Sequence, residues 1–272
     1  MPLRFRCSGG DVIVDVVGFS LLLLTGLFAG FVGGLLGIGG CSIMLPILVF
    51  VYNYSEAVAI GTTITAVVLT ALSGALAHMR IGNVDKRTAL VVGFAGIAGA
   101  AIGDAIFVLL AGSPSILDLV LGFAFLYASL RMVVEGLRGI GKGVTEGDKI
   151  PGTQATKAAI GLATGITSGI VGLGGGYLLV PLFIYVLGSP IRIAIGTSLL
   201  SFLPLAITSA APKLFMGQAD PLAAIALGLG TIVGAQIGAK LVPKVPSKTL
   251  KLLFGIVFLT VSIKFMAKGV GL

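Results

Sequence analysis

The sequence predicts an all-α integral membrane protein made of two inverted-topology repeats, each of about five segments with a broken or re-entrant helix at a glycine-rich motif. Three observations predict it. Hydrophobic residues make up 57% of the 272-residue chain and charged residues only 10%. Mean hydropathy is +1.14, and apolar runs of about 20 residues, the length that spans a bilayer, recur throughout. The third observation is a stretch that occurs twice: GLLGIGGCSIMLP at 34–46 and GIVGLGGGYLLVP at 169–181 align without a gap at an offset of 135 positions. A ten-residue apolar/polar alternation is absent, which argues against a membrane barrel. The 42 glycines suit close helix approach in a membrane bundle.

A short leader, residues 1–11, carries Arg4 and Arg6. Membrane repeat 1 is expected over 12–137. Its first span covers 12–36, and a break at Gly37–Gly40 follows. A segment ending near Tyr52 comes next, too short to cross the hydrocarbon. Spans at 56–79, 88–110 and 116–137 complete the repeat. Residues 138–156 are the only long polar stretch and read as a linker. Membrane repeat 2, within 157–272, repeats the order with segments at 157–173, 176–187, 191–212, 221–242 and 249–267. The correspondence extends beyond the glycines: Ala59-Ile60-Gly61-Thr62 falls on Ala194-Ile195-Gly196-Thr197, and Gly82 and Asp85 fall on Gly217 and Asp220.

Loop charge sets the relation of the halves. Arg80, Lys86 and Arg87 follow the third segment of repeat 1, against only Lys213 in repeat 2. The next loop carries no basic residue in repeat 1, whereas its counterpart carries Lys240, Lys244, Lys248 and Lys251. If the halves are inverted, both basic loops and the linker share one side, the cytoplasmic side of a cell membrane. Arg4 and Arg6 then lie outside. Inversion also requires an odd number of crossings per repeat. The broken pair must therefore enter and return, or cross twice.

A glycine break in hydrocarbon leaves backbone groups that need protein or water. The short segments after Gly39–Gly40 and Gly174–Gly175 begin with helix N-termini, which favour anions. Gly37, Gly39, Gly40, Cys41 and Ser42, with Gly172, Gly174, Gly175, Gly176 and Tyr177, are therefore the expected substrate-binding set. Thr62, Thr63, Thr197 and Ser198 are candidate hydroxyl donors, or bonds back to the preceding turn. Asp104, deep in a span, and Gln236 are candidates for coupling. His78 and Arg80 are expected to snorkel at the interface, and Arg131 and Glu135, a turn apart, to pair or reach headgroups. At Gly99/Gly103 and Gly234/Gly238 the spacing is read as helix packing.

The doubled motif, each copy followed by an A-x-G-T-[ST] run (Ala59–Thr63 and Ala194–Ser198), resembles the TauE/SafE family of sulfite and organosulfonate exporters over nearly the whole chain. The chain departs from the usual glycine triplet at Cys41, opposite Gly176. The resemblance implies a membrane carrier that exports sulfite or organosulfur anions. The residues themselves point to a small anionic substrate held between two broken helices under alternating access. An anion channel, or a cation-coupled importer with Na⁺ on unwound carbonyls, remains open beside it. The reading includes no catalytic residues, no metal (the sole histidine excludes a histidine cluster), no cofactor and no nucleic-acid partner. The net charge of +8 is assigned to topology. Membrane lipid is a partner, and a homodimer is left open.

Overall fold

The computed structural model describes residues 3–7, 10–14, 16–138, 147–172, 176–241 and 247–271. Among these are ten helices: α1 (Val16–Leu36), α2 (Cys41–Phe50), α3 (Glu56–Arg80), α4 (Lys86–Ala111), α5 (Pro114–Arg138), α6 (Gln154–Val171), α7 (Gly176–Tyr185), α8 (Ile191–Phe215), α9 (Pro221–Leu241) and α10 (Ser247–Val270). Six of them, α1, α3, α4, α5, α8 and α9, are long and apolar enough to cross a membrane. α2 and α7 are equally apolar but have ten residues each, about 15 Å or half of the hydrocarbon.

The N-terminus departs from the expectation of a short leader over 1–11 with the first span starting at residue 12. Strands β1 (Leu3–Cys7) and β2 (Gly10–Val14) pair antiparallel, Leu3 opposite Val14, and the first helix opens at Val16. The β-branched run Val12-Ile13-Val14 favours a strand over a helix start. Of the expected linker, residues 139–146 lie outside the described residues.

The two most buried spans, α3 and α8, form the centre: 72% of an apolar 18-residue stretch of each is buried, against 33% in α4. They run antiparallel, with Gly74 beside Leu199, Gly196 beside His78 and Gly61 beside Gln218. α5 and α10 are also antiparallel, with Gly122 on Met266 and Gly136 on Leu252. α1 lies parallel to α9 through Gly26, Gly30 and Gly34 against Leu227, Thr231 and Ala235. α4 lies parallel to α6 through Gly161, Gly165 and Gly169 against Val92, Gly96 and Ala100. Four-residue spacing keeps each glycine row on one helix face. A Cβ at any of these positions would overlap the facing backbone. The packing role expected for Gly99, Gly103, Gly234 and Gly238 is present in the same two seams. The first helix of each half thus packs on the fourth helix of the other, and the halves are interwoven.

A doubled clamp fixes this arrangement. Gly61 admits the Gln218 carbonyl, and Gly196 admits that of Asn83. The next residue in each case is a threonine. Thr62 Oγ accepts the Asp220 N–H at 2.8 Å, and Thr197 Oγ accepts the Asp85 N–H at 2.9 Å. Each aspartate then caps the helix it precedes. Asp220 accepts from the N–H groups of Leu222 and Ala223 and from the Tyr54 hydroxyl. Asp85 accepts from the Thr88 N–H and hydroxyl and from the Ile150 N–H. Burial pushes the Asp85 carboxyl up. The Thr88 and Ile150 hydrogen bonds and the Lys157 ammonium outweigh it and hold the group below the ordinary carboxylate range.

Overpacking of this kind costs about 1–3 kcal/mol. Gly61→Ala and Gly196→Ala should therefore each lower the melting temperature in detergent by several degrees. Gly112→Ala, where a Cβ meets open space and φ is −78°, should leave it unchanged. Because the folded Asp85 is depressed, its contribution is complete above the free carboxylate pKa of about 4 and is lost as pH falls through the folded value. Asp85→Asn should be less stable than the native protein at neutral pH and lose less on acidification, measured by thermal unfolding across that range.

Candidate functional site

The site is built where α1 stops. Gly37 closes the helix by donating to the Gly33 carbonyl at 2.8 Å. Gly37, Gly39 and Gly40 then take φ of 73°, 76° and 77°, left-handed values that cost other residues about 1–2 kcal/mol each. These turns reverse the chain. Gly40 lands against Ala29 and Gly33 of α1, so α2 starts by folding back over the helix that leads into it. α2 opens on Ile43 and Met44 donating to the Gly40 carbonyl, and no side chain caps it. Gly39 is the least crowded of the three, with Val67 at 3.4 Å as the nearest group a Cβ would meet.

The second break follows the same plan. Gly172 has φ 65° and donates to Ser168 at 2.8 Å. Gly174 and Gly175 lie outside the described residues. α7 starts at Gly176, which rests directly on the Gly37 carbonyl and Ile38, so the two breaks touch. Each break also packs against the other half's central helix: Gly37 against Ile195 of α8, and Gly172 against Ile60 of α3.

The hydroxyl candidates divide in two. Thr62 and Thr197 hold the clamps described above. Thr63 Oγ donates back to the Ala59 and Ile60 carbonyls, and Ser198 Oγ to those of Ile195 and Gly37. Ser42 and Tyr177 differ. They occupy equivalent positions in the first turns of α2 and α7, both are buried, and neither Ser42 Oγ nor Tyr177 Oη has a hydrogen-bond partner among the described residues. Ser42 also lines a cavity of about 560 Å³ between α2 and α10, together with Phe28, Pro46, Phe50 and Lys264. Cys41, at the head of α2, is fully buried with Sγ 3.7 Å from the Ile38 carbonyl.

Asp104 is not a lone carboxylate. It forms a buried ion pair with Lys213, whose Nζ also donates to the Gly169 carbonyl at 3.1 Å and lies 4.4 Å from the centre of the Phe107 ring. Gln236 is half-buried on α9. His78 does not snorkel: it is fully buried, with Nε2 3.3 Å from the Gly34 carbonyl, while Arg80 is exposed. The end of α3 is covered by α1 and the start of α8 on the side that His78 faces, while Leu76 and Arg80 face outward. Arg131 stacks over the Tyr185 ring at 3.8 Å, and the Glu135 side chain lies outside the described residues. Lys213 is the functional candidate missed by sequence reasoning. The signal was available, since the offset of 135 places His78 on Lys213 and Gly34 on Gly169.

Comparison with known proteins agrees with this architecture. The probable membrane transporter protein YunE of Bacillus subtilis (strain 168) is 27% identical, over 93% of this chain and 99% of its own. A probable membrane transporter protein of Xylella fastidiosa (strain 9a5c) is 29% identical over 88% and 91%. MJ0441 of Methanocaldococcus jannaschii, also a probable membrane transporter protein, is 24% identical over 86% and 90%. No solved structure matches. The family described as sulfite exporter TauE/SafE matches residues 22–265, so this multi-pass membrane chain belongs to the TauE/SafE family of membrane transporters.

Proposed function

We propose that the chain is a secondary carrier that exports a small oxyanion, sulfite or an organosulfonate, across the cell membrane. The anion is held by the first turns of α2 and α7 where the two breaks meet, and no side chain caps that of α2. The observation that carries this reading is the pair of buried, unpartnered hydroxyls at equivalent positions, Ser42 and Tyr177. A buried hydroxyl without a partner costs about 1–3 kcal/mol, and an oxyanion offers both groups an acceptor. The helix N-termini add the positive end of the dipole.

The antiparallel pairing of α3 with α8 and of α5 with α10 supports two inverted repeats. The turn of α2 back over α1 supports a re-entrant hairpin. One end of the bundle collects Arg80, Lys86, Arg87, Lys240 and Lys248, and is assigned to the cytoplasm together with the linker. An outward concentration gradient of the anion then suffices to drive export. Because α1 packs on α9 and α6 on α4, the bodies that rock are of mixed parentage: α1, α3 and α9 move against α4, α6 and α8.

In a thermal-shift screen of the purified protein, sulfite or a small sulfonate should stabilise the native chain while chloride does not. Ser42→Ala and Tyr177→Phe should each weaken the apparent affinity about tenfold, the loss expected for one hydrogen bond to a charged group. Stabilisation by none of these anions, or equal stabilisation of both variants, contradicts the site.

A further inference from the structure

The two halves carry different charges at one equivalent place. In the second half, Lys213 sits on the Gly169 carbonyl in the last turn of α6, and Asp104 neutralises it. In the first half, His78 sits on the Gly34 carbonyl in the last turn of α1. Carbonyls in a last turn run out of helical donors, and a cation or an N–H group suits them. The position equivalent to Asp104 is Ala239, which is buried. His78 therefore has the cap contact of Lys213 without its counter-ion.

The chemistry of that contact fixes the tautomer. A carbonyl only accepts, so Nε2 must carry the hydrogen, and Nδ1 is the nitrogen that gains a proton. Nδ1 is buried and has no partner among the described residues. The facing turn of α1, residues 29–36, holds no titratable group. On the other elements around it, Arg80, Arg192 of α8 and Lys240 of α9 are exposed, and Asp85 is committed to its clamp. Tyr177 of α7 is buried, as is Cys41 of α2. None of these is an available anion. An imidazolium here would be a buried, uncompensated charge, which costs several kcal/mol. The first break adjoins the turn of α1 that His78 contacts. Gly33, beside Gly34, packs against the backbone of Gly39 and Gly40.

We propose that His78 binds one proton together with one transported anion, so that imidazolium and oxyanion neutralise each other beside the first break. The second half, neutral through Lys213 and Asp104, takes no part in the exchange. This rests on the carrier reading above and adds its proton stoichiometry: a monoanion that leaves with the His78 proton moves no net charge, so its own outward concentration gradient, and not the membrane potential, drives that exit.

The test uses a small alkanesulfonate, which stays ionised throughout, with the intact purified protein between about pH 5.5 and 8.5, the window of imidazole titration. Addition of the sulfonate to native protein in weak buffer should remove about one proton per anion bound, read with a pH indicator. Affinity should fall up to tenfold per pH unit on the alkaline side. In His78→Gln, whose amide can still donate to Gly34, proton uptake should vanish and affinity become weak and flat with pH. His78→Lys combined with Ala239→Asp, which copies the second half, should be flat as well. Native binding with no proton uptake overturns the role of His78 and leaves the carrier reading standing. Retained uptake in His78→Gln does the same. No sulfonate or sulfite binding at any pH overturns both.

Discussion

Backbone polar groups released inside hydrocarbon must find partners in the protein, and the fold depends on how two glycine breaks meet that demand. The first break is satisfied only in part by its own half. The Gly37 carbonyl accepts from Ser198 of the other half, and Gly176 rests on it. Ile195 and Ile60 cover Gly37 and Gly172 reciprocally. The Thr62–Asp220 and Thr197–Asp85 bonds extend the same exchange to the caps of α9 and α4. Inside hydrocarbon, a backbone group of the break left without such a partner would cost several kcal/mol. Interweaving follows from this need, and close glycine seams make it sterically feasible.

Twofold equivalence makes the exceptions informative. Cys41-Ser42 faces Gly176-Tyr177, and His78 with Ala239 faces Lys213 with Asp104. A carrier needs an occluded place that accepts a charge and later releases it. Lys213 cannot serve alone, because its carboxylate is always beside it and the Phe107 face covers it. The unneutralised half can change its charge. Asymmetry of charge and asymmetry of the first turn therefore lie in the same half, next to the same break.

The repeat, the breaks and the packing glycines were legible in the sequence because each rests on spacing along one chain. Loop charge likewise predicts an inverted relation of the halves, and the structure pairs α3 with α8 and α5 with α10 antiparallel. What was not legible depends on neighbours. Lys213 reads as a loop charge until Asp104 of a distant helix is seen beside it. His78 reads as an interfacial residue until the covered end of α3 is known. Thr62 and Thr63 are adjacent and alike, yet one caps α9 from outside and the other bonds its own helix, because successive residues on a helix face directions about 100° apart. The β1–β2 hairpin was hidden by apolar residues that continue into α1.

The most direct test of the central claim is to locate a bound oxyanion. Selenite is a close analogue of sulfite with a strong anomalous signal, and diffraction from crystals grown in it would place the anion. The account predicts one anomalous peak per chain at the junction of the breaks, within hydrogen-bonding distance of the first turn of α2 or α7. Selenite found only on surface lysines, with the junction closed in protein, would contradict it.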